Sequence, residues 1–361
     1  MKALIAMSGG VDSSLAAKLT ADAGYQCIGC TMKLYDNANA GKAASRTCCS
    51  LEDVEDARGV AYQLGMPYYV FNFTEDFRRC VIEHFADSYR RGVTPNPCID
   101  CNRYLKFDRL LKRAETLGCD CLVTGHYARI VLENGRYVLK KALDASKDQS
   151  YVLYMLTQAQ LSRLRFPLGA LRKTEVRATA AQNGFLNADK PDSQDICFVP
   201  DGDYSRVVEL HGGPARPGDF VDREGRVLGR HRGIIHYTVG QRKGLGLSLP
   251  EPMYVCRICP DTDQVVLGRD AELWSRTFTV RDMNWISGEA PGAPFRCKVR
   301  VRYRQAEQWA EVTPTSDGAE ITFDRPQRAI TPGQAAVLYD GDTVLGGGVI
   351  CQTAAGRELI E

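Results

Sequence analysis

At 361 residues, with 44% apolar and 25% charged residues and a formal net charge of +2, the chain reads as a soluble globular protein of two or three domains. That charge does not announce a nucleic-acid binder, so any such binding must rest on local clusters. No apolar run approaches the ~20 residues of a membrane span, and residues 1–30 lack a signal-peptide pattern, so a cytoplasmic protein with no membrane partner is expected.

The first predicted strand, K-A-L-I-A-M, runs into Ser8-Gly9-Gly10-Val11-Asp12-Ser13-Ser14 and a helix over about 12–23. Two glycines between a strand and a helix N-terminus make a nest of backbone N–H groups at the positive end of the helix dipole, suited to phosphate. The pattern is not a Walker loop, because its lysine is missing. A second strand, Y-Q-C-I-G-C-T-M, precedes a polar, small-residue stretch over 36–49. Ser50 is the expected cap of the next helix, with Asp53 in capping-box position and Val54, Ala57, Ala61 and Leu64 on one face. A strand Y-Y-V-F-N-F, a helix from Thr74 to about Arg91, a helix over C-N-R-Y-L-K-F-D-R-L-L-K-R-A-E-T-L-G and a strand C-D-C-L-V-T-G-H complete an alternating pattern. Strands separated by helices imply a parallel sheet, with ligands at the carboxyl ends of its strands. That places Ser8–Ser14, Met32, Pro95–Cys101 and Gly125-His126 around one crevice.

From about residue 202 the helical periodicity fades and short β-rich runs take over. The expected fold is α/β: an N-terminal parallel-sheet domain over 1–201, a small central β-rich domain over 202–272 and a C-terminal β-barrel-like domain over 273–361, with turns at Ser287-Gly288, Asp317-Gly318 and Asp340-Gly341. One basic cluster spans 226–245. Another, R-C-K-V-R-V-R-Y-R over 296–304, read as a strand, sends Arg296, Lys298, Arg300, Arg302 and Arg304 to one face, about 6.6 Å apart. Such a stripe suits an RNA backbone.

Fourteen cysteines in a reducing compartment point to thiol chemistry or metal rather than structural disulfides. Cys98 and Cys101 form C-I-D-C inside a stiff T-P-N-P loop, with Cys101 expected at or near a helix start, where the dipole favours the thiolate. Cys197 lies in D-S-Q-D-I-C-F-V-P, almost a hundred residues on. A lone C-x-x-C fits a redox pair, half a zinc site or an incidental pair; a packed core histidine is a competing reading for His126, and His84, on an amphipathic helix, is expected to be structural.

Six segments, S-G-G-V-D-S-S, T-P-N-P-C-I-D-C-N-R-Y-L-K-F, T-G-H-Y-A-R, K-D-Q-S-Y-V-L-Y, D-S-Q-D-I-C-F-V and V-R-Y-R-Q, together resemble the bacterial tRNA-specific 2-thiouridylases, a family of pyrophosphate-loop ATP pyrophosphatases, from residue 1 to about 350. The resemblance implies thiolation at C2 of the wobble uridine, position 34, of tRNAs for lysine, glutamate and glutamine. ATP with Mg2+ would adenylate O2, and sulfur would arrive from a sulfur-carrier protein or cysteine desulfurase. It implies that Cys197 carries a persulfide and that Cys101 either forms a disulfide with Cys197 or generates hydrosulfide. It places Ala6, Met7, Ser8, Gly9, Gly10, Val11, Asp12, Ser13, Met32 and Gly125 on ATP. Asn96, Pro97 and Cys98 would line the target-base pocket, and His126, Lys147, Asp148, Gln149, Arg302, Tyr303 and Gln334 would touch tRNA. Many relatives carry Asp where this chain has Cys98, so an alternative is open in which Cys98, Cys101 and Cys197 hold a 4Fe–4S cluster with one open iron that carries the sulfur. Two further readings are amine ligation on the same first domain and a non-catalytic RNA-binding iron–sulfur protein. Nothing in the sequence demands an oligomer, and a monomer is expected.

Overall fold

The computed structural model describes residues 1–35, 51–191, 196–199 and 202–353. The stretch 36–49, the Ser50 cap and the acidic residues just before Cys197 lie outside them.

Five parallel strands form the first sheet: β1 (Lys2–Ala6), β2 (Gln26–Lys33), β3 (Tyr68–Asn72), β4 (Cys121–Val123) and, after a hairpin of β5 (Ala128–Glu133) and β6 (Arg136–Lys141), β7 (Leu164–Arg165). Their order is β3-β2-β1-β4-β7. Ala3, Leu4 and Ile5 of β1 are fully buried, because helices cover both faces. Leu4 enters one core, while Ala3 and Ile5 enter the other. The chain winds outward through β1, β2 and β3, then returns to β4 on the other flank of β1. Beyond the carboxyl ends of β1 and β4 the sheet therefore has a switch point, the place where such folds open a crevice. The helix α1 (Val11–Asp22) follows β1 and α2 (Leu51–Gln63) precedes β3.

The helices between β3 and β4 are each continuous but not uniform. Thr74–Phe77, Arg78–Glu83 and His84–Arg90 form one rod, and Pro97–Asp100, Cys101–Leu110 and Leu111–Thr116 another, each with a π-helical middle. The second rod begins a turn earlier than the sequence suggests: Pro97 sits in its first turn and Asn96 caps it. Cys98 therefore occupies the first turn, and Cys101 the one after.

A second, four-stranded sheet has the order β10-β11-β8-β9, from β8 (Gly218–Val221), β9 (Val227–His231), β10 (Tyr254–Cys259) and β11 (Gln264–Gly268). Its helix Tyr204–Gly212 docks on His84–Arg90, where Tyr204 and Tyr89 stack with ring centroids 4.7 Å apart. The third unit comprises β12 (Trp274–Trp285), β13 (Phe295–Arg300), β14 (Gln308–Pro314), β15 (Gly318–Arg328), β16 (Ala335–Asp340) and β17 (Thr343–Thr353). The order β12-β15-β14-β13-β16-β17 is closed by pairing of β12 with β17, giving a barrel. A parallel-sheet domain followed by two mostly-β units is the architecture expected. The β5–β6 hairpin is an addition to it: β6 pairs with β17, Lys140 facing Thr343, and so carries the first unit's chain onto the barrel.

The basic stripe needs correction. Cys297, Val299 and Val301 do point into the barrel core. The strand, however, ends at Arg300 and the chain turns through 301–304, so the five cations do not share one face. Arg300 is half-buried against Glu307 at 2.9 Å and Asp148 at 3.5 Å. Arg302 donates to Ala329 O and Thr331 Oγ1, each at 2.8 Å. Arg296 pairs with Asp324 at 2.7 Å. Among the described residues, Arg296 and Arg300 are the members of this stretch with carboxylate partners; Arg302 is tied to backbone and hydroxyl oxygens, Lys298 lies over the Trp309 ring, and Arg304 is exposed at the turn.

Candidate nucleotide and thiol site

The Ser8–Ser14 loop is held from within. Ser8 N donates to Ser13 Oγ at 3.0 Å, and Ser13 Oγ and Ser14 Oγ donate to Gly10 O at 3.0 and 3.1 Å. Gly10 caps α1 in an extended conformation with no side chain closing the helix end, so the first-turn N–H groups remain available to an anion. Gly9 has φ +76°, and a Cβ there would collide with the Asp53 carbonyl, so this position requires glycine. Met7 is clamped to β2 by Met7 N to Cys30 O at 2.7 Å and by Thr31 Oγ1 to Met7 O at 2.6 Å. Ala6 and Met32, half-buried at the ends of β1 and β2, pack on one core. Across the switch point, Gly125 lies so close that an added Cβ would stand 2.9 Å from Asp12 C and 3.0 Å from Ser13 N. Gly125 and the Ser8–Ser14 loop thus meet at the start of α1.

Several residues at this end escaped the sequence reading. Lys173 Nζ donates to both Asp12 carboxylate oxygens, at 2.7 and 2.8 Å, and Tyr127 Oη donates to Asp12 Oδ1 at 2.7 Å. Asn187 Nδ2 donates to Gly9 O and Ser14 Oγ, both at 2.9 Å, tying a distant segment to the loop. Lys190 Nζ donates to Asp53 Oδ1 at 2.6 Å and Asp56 Oδ2 at 2.8 Å. Burial pulls the Lys190 pKa down, but its two carboxylate partners outweigh that and hold it above the ordinary lysine value. Asp53 is thus buried and ion-paired to Lys190.

Cys98 and Cys101 lie on the second rod, which is tied to the rod that starts at Thr74. His84 Nδ1 lies 2.8 Å from Asp100 Oδ2, and this hydrogen bond raises the His84 pKa. The contact fixes the start of the second rod, where Asn96 Oδ1 accepts from Cys98 N at 3.2 Å. Phe198, next to Cys197, packs edge-on against Phe77 and Phe85 of the same first rod, with centroids 5.7 and 5.2 Å apart. Cys101 and Cys197, both half-buried, pack on the core that also receives Ala6 and Met32. Cys98 is exposed. Among the described residues no three His, Cys, Asp or Glu side chains are gathered to hold a metal ion.

Most residues expected at tRNA are structural joints in this conformation. His126 is buried between Phe107 and Phe166, with Nδ1 2.7 Å from Thr124 Oγ1. Burial, and next the Lys106 charge, pushes its pKa well below the ordinary histidine value. Asp148 is buried and accepts from Ala142 N at 3.1 Å, Ser150 N at 3.2 Å and Ser150 Oγ at 2.8 Å. Gln149 brackets Tyr127: Oε1 accepts from Tyr127 N at 2.9 Å, while Gln149 N donates to Tyr127 O at 2.9 Å. Lys147 N closes a turn onto Asp144 O at 3.0 Å. Tyr303 Oη donates to Asp148 O at 3.3 Å; burial first, then the charges of Asp148 and Cys98, raise its pKa. Gln334 Nε2 donates to Thr94 O at 2.8 Å and Pro95 O at 3.3 Å, and Thr94 N donates to Pro332 O at 2.9 Å. The barrel thus grips the loop that leads into Pro97, Cys98 and Cys101.

Residues 1–201 match the family described as tRNA methyl transferase HUP domain, residues 206–269 the tRNA methyl transferase PRC-barrel domain, and residues 275–350 the aminomethyltransferase beta-barrel domain. The tRNA-specific 2-thiouridylase MnmA of Acetivibrio thermocellus is 49% identical over 354 residues, covering 97% of this chain and 99% of that protein. The protein of the same name from Chloroflexus aurantiacus is 51% identical over 352 residues, covering 97% and 98% respectively.

Proposed function

Since the chain belongs to the tRNA-specific 2-thiouridylase family, we propose that it is an ATP-dependent tRNA sulfurtransferase that replaces O2 of the wobble uridine, position 34, by sulfur. The observation that carries this reading is the company kept by the phosphate nest: Ala6 and Met32, beside it, share one core with Cys101 and Cys197.

The chemistry follows from a leaving-group problem. A urea-like carbonyl oxygen is expelled poorly, so O2 attacks the α-phosphorus of ATP, pyrophosphate departs, and AMP becomes the leaving group. The first-turn amides of α1 meet the phosphates. Asp12 is held by Lys173 and Tyr127, so its negative charge is largely offset where an anion must approach. Mg2+ would enter with ATP as part of the substrate complex. No three acidic side chains stand ready to hold it among the described residues.

Sulfur then attacks C2. In our reading Cys197 carries it as a persulfide delivered by a sulfur-carrier protein or cysteine desulfurase. Cys101 attacks Cys197 Sγ, leaving the thiocarbonyl on the nucleoside and a Cys101–Cys197 disulfide. Covalent catalysis here splits one hard displacement into two easier ones. Asn96, Pro97 and Cys98 would face the flipped base, and tRNAs for lysine, glutamate and glutamine would be the substrates of a monomeric enzyme. No helix among the described residues is long and apolar enough to cross a membrane.

Mass spectrometry of nucleosides from tRNA incubated with the protein, ATP, Mg2+ and a persulfide donor tests this. The expected outcome is 2-thiouridine at position 34, with AMP and pyrophosphate released in step. Thiolation without ATP, or thiolation that survives Cys101→Ser and Cys197→Ser, would overturn it; tRNA-dependent pyrophosphate release that survives both substitutions with no 2-thiouridine formed would favour amine ligation.

A further inference from the structure

The mechanism above gives Cys98 no covalent part, yet its placement suits one. It is exposed, whereas Cys101 and Cys197 are half-buried. It stands in the first turn of the helical rod, and Cys101 follows three residues later, a spacing that puts both side chains on one face. The loop that leads into it is gripped by the barrel through Pro332 and Gln334, so the pair is held in place from outside the rod as well as within it. Tyr303, on the turn after β13, senses the charge of Cys98, which sets this thiol where the barrel meets the first domain. A Cys-x-x-Cys pair opening a helix, with one sulfur outward and one inward, is suited to dithiol–disulfide exchange, because the outer sulfur can be attacked by a macromolecular reductant.

We infer that Cys98 is the resolving thiol of the turnover cycle: it takes the disulfide over from Cys101–Cys197 and presents it to an external dithiol reductant. This rests on the persulfide reading. Each round then leaves Cys101 joined to Cys197, so Cys197 cannot accept the next sulfur. The Cys98 thiolate attacks Cys101 Sγ. A Cys98–Cys101 bond forms, the Cys101–Cys197 bond breaks, and the electron pair leaves on Cys197 as its thiolate. No net oxidation occurs. A protein dithiol then attacks the exposed Cys98 Sγ and expels Cys101 as thiolate. Its second thiol resolves the mixed disulfide, so two electrons and two protons pass to the Cys98–Cys101 pair. Cys197 is thereby reloadable before the reductant acts, and the half-buried pair need never meet the reductant.

The test loads the full-length protein with one equivalent of persulfide and adds tRNA, ATP and Mg2+. The reaction is quenched with N-ethylmaleimide, and the cysteines are mapped by mass spectrometry. Steady-state thiolation is measured in parallel with a limiting protein dithiol reductant. The wild-type protein is expected to end one turnover with Cys98 joined to Cys101 and Cys197 alkylated. In Cys98→Ser the Cys101–Cys197 disulfide persists, and the ratio of steady-state to first-turnover rate falls at least tenfold. A wild-type map with Cys98 alkylated and Cys101 joined to Cys197 overturns the inference. So does an unchanged rate ratio in Cys98→Ser, the result if this residue only lines the base pocket, since both rates then fall together. If neither protein carries a disulfide after turnover, the persulfide reading itself fails and the resolving role falls with it. The wild-type map decides even if the variant does not fold.

Discussion

Gly125 offers a direct test of how the sheet aims the nucleotide site. It follows β4 and lies across the switch point from α1. A Cβ at this position would stand 2.9 Å from Asp12 C, 3.0 Å from Ser13 N and 3.1 Å from Asp12 O, all backbone atoms that cannot rotate away. Ordinary contact begins at 3.4 Å, so Gly125→Ala must part the two backbones by up to about half an ångström, 3.4 against 2.9. Gly125 is not among the glycines with positive φ, so the substitution brings no backbone strain and its effect is steric. Overpacking of this kind costs about 1–3 kcal/mol. The displaced atoms carry the first-turn amides of α1, so ATP affinity should fall by about tenfold, the equivalent of ~1.4 kcal/mol. Urea denaturation reads the stability and calorimetry reads the ATP affinity. Gly59→Ala is the control: Gly59 lies inside α2 with nothing within 4 Å of an added Cβ, and should stabilise by about 0.5–1 kcal/mol. A Gly125→Ala protein as stable as the wild type, binding ATP as tightly, would refute the claim that β4 sets the position of the nest.

Four further outcomes are expected. Lys173→Met leaves Asp12 uncompensated beside the phosphate site. Asp12 is 32% exposed, so the stability loss should be about 1–3 kcal/mol, below that of a fully buried pair, while ATP affinity and tRNA-dependent pyrophosphate release fall; Asp12→Asn added to Lys173→Met should recover part of the ATP affinity. His126 stays neutral when folded but takes a proton near pH 6.5 when unfolded, so stability is full above that pH and falls as pH drops below it. Its share is up to about 1.4 kcal/mol per pH unit, and denaturation midpoints between pH 6.5 and 5.5 should fall less steeply in His126→Gln than in the wild type. Arg300→Gln breaks the Glu307 and Asp148 pairs and should destabilise by about 2–4 kcal/mol in urea. Arg304→Ala should leave stability within about 0.5 kcal/mol while weakening tRNA binding and reducing its salt slope by about 1 in a filter-binding titration.

The parts of the fold that sequence revealed are those fixed by local pattern. Ala3, Leu4 and Ile5 read as a buried strand because both sheet faces are covered, and the glycines after Met7 read as a nest because only a strand–turn–helix joint uses them so. The β5–β6 hairpin is equally local: Asn134-Gly135 is the strongest short-range hairpin signal, and both residues have positive φ. What no local pattern held was partnership across the chain. Lys173 lies 161 positions from Asp12, and Lys190 lies 137 from Asp53. The same blindness produced the basic stripe. Alternation correctly buried Cys297, Val299 and Val301, but it could not show that the strand stops at Arg300 or that Glu307 and Asp148 would neutralise that arginine.

Three of the residues expected at tRNA hold backbone rather than solvent, and this changes what their variants would report. Gln149 fixes both backbone polar groups of Tyr127, whose hydroxyl reaches Asp12. Gln334 fixes the two carbonyls before Asn96, and through them the start of the rod that carries Cys98 and Cys101. Arg302 joins the turn after β13 to the 329–331 segment just before Pro332, itself the acceptor for Thr94 N. The two ends of the reaction, phosphate and sulfur, are therefore each stayed by side chains that need touch no RNA. A Gln334→Ala variant that loses thiolation but keeps tRNA affinity would be acting through the position of the thiols: kcat falls, KM for tRNA holds, and the Gln334→Asn side chain, one methylene too short to span to Thr94 O, fails to rescue. Loss of affinity in step with rate would instead place Gln334 on the RNA. The barrel thus reaches the cysteine loop through Thr94 and Pro95, so a barrel variant that keeps tRNA affinity but lowers kcat would act through the position of Cys98 and Cys101.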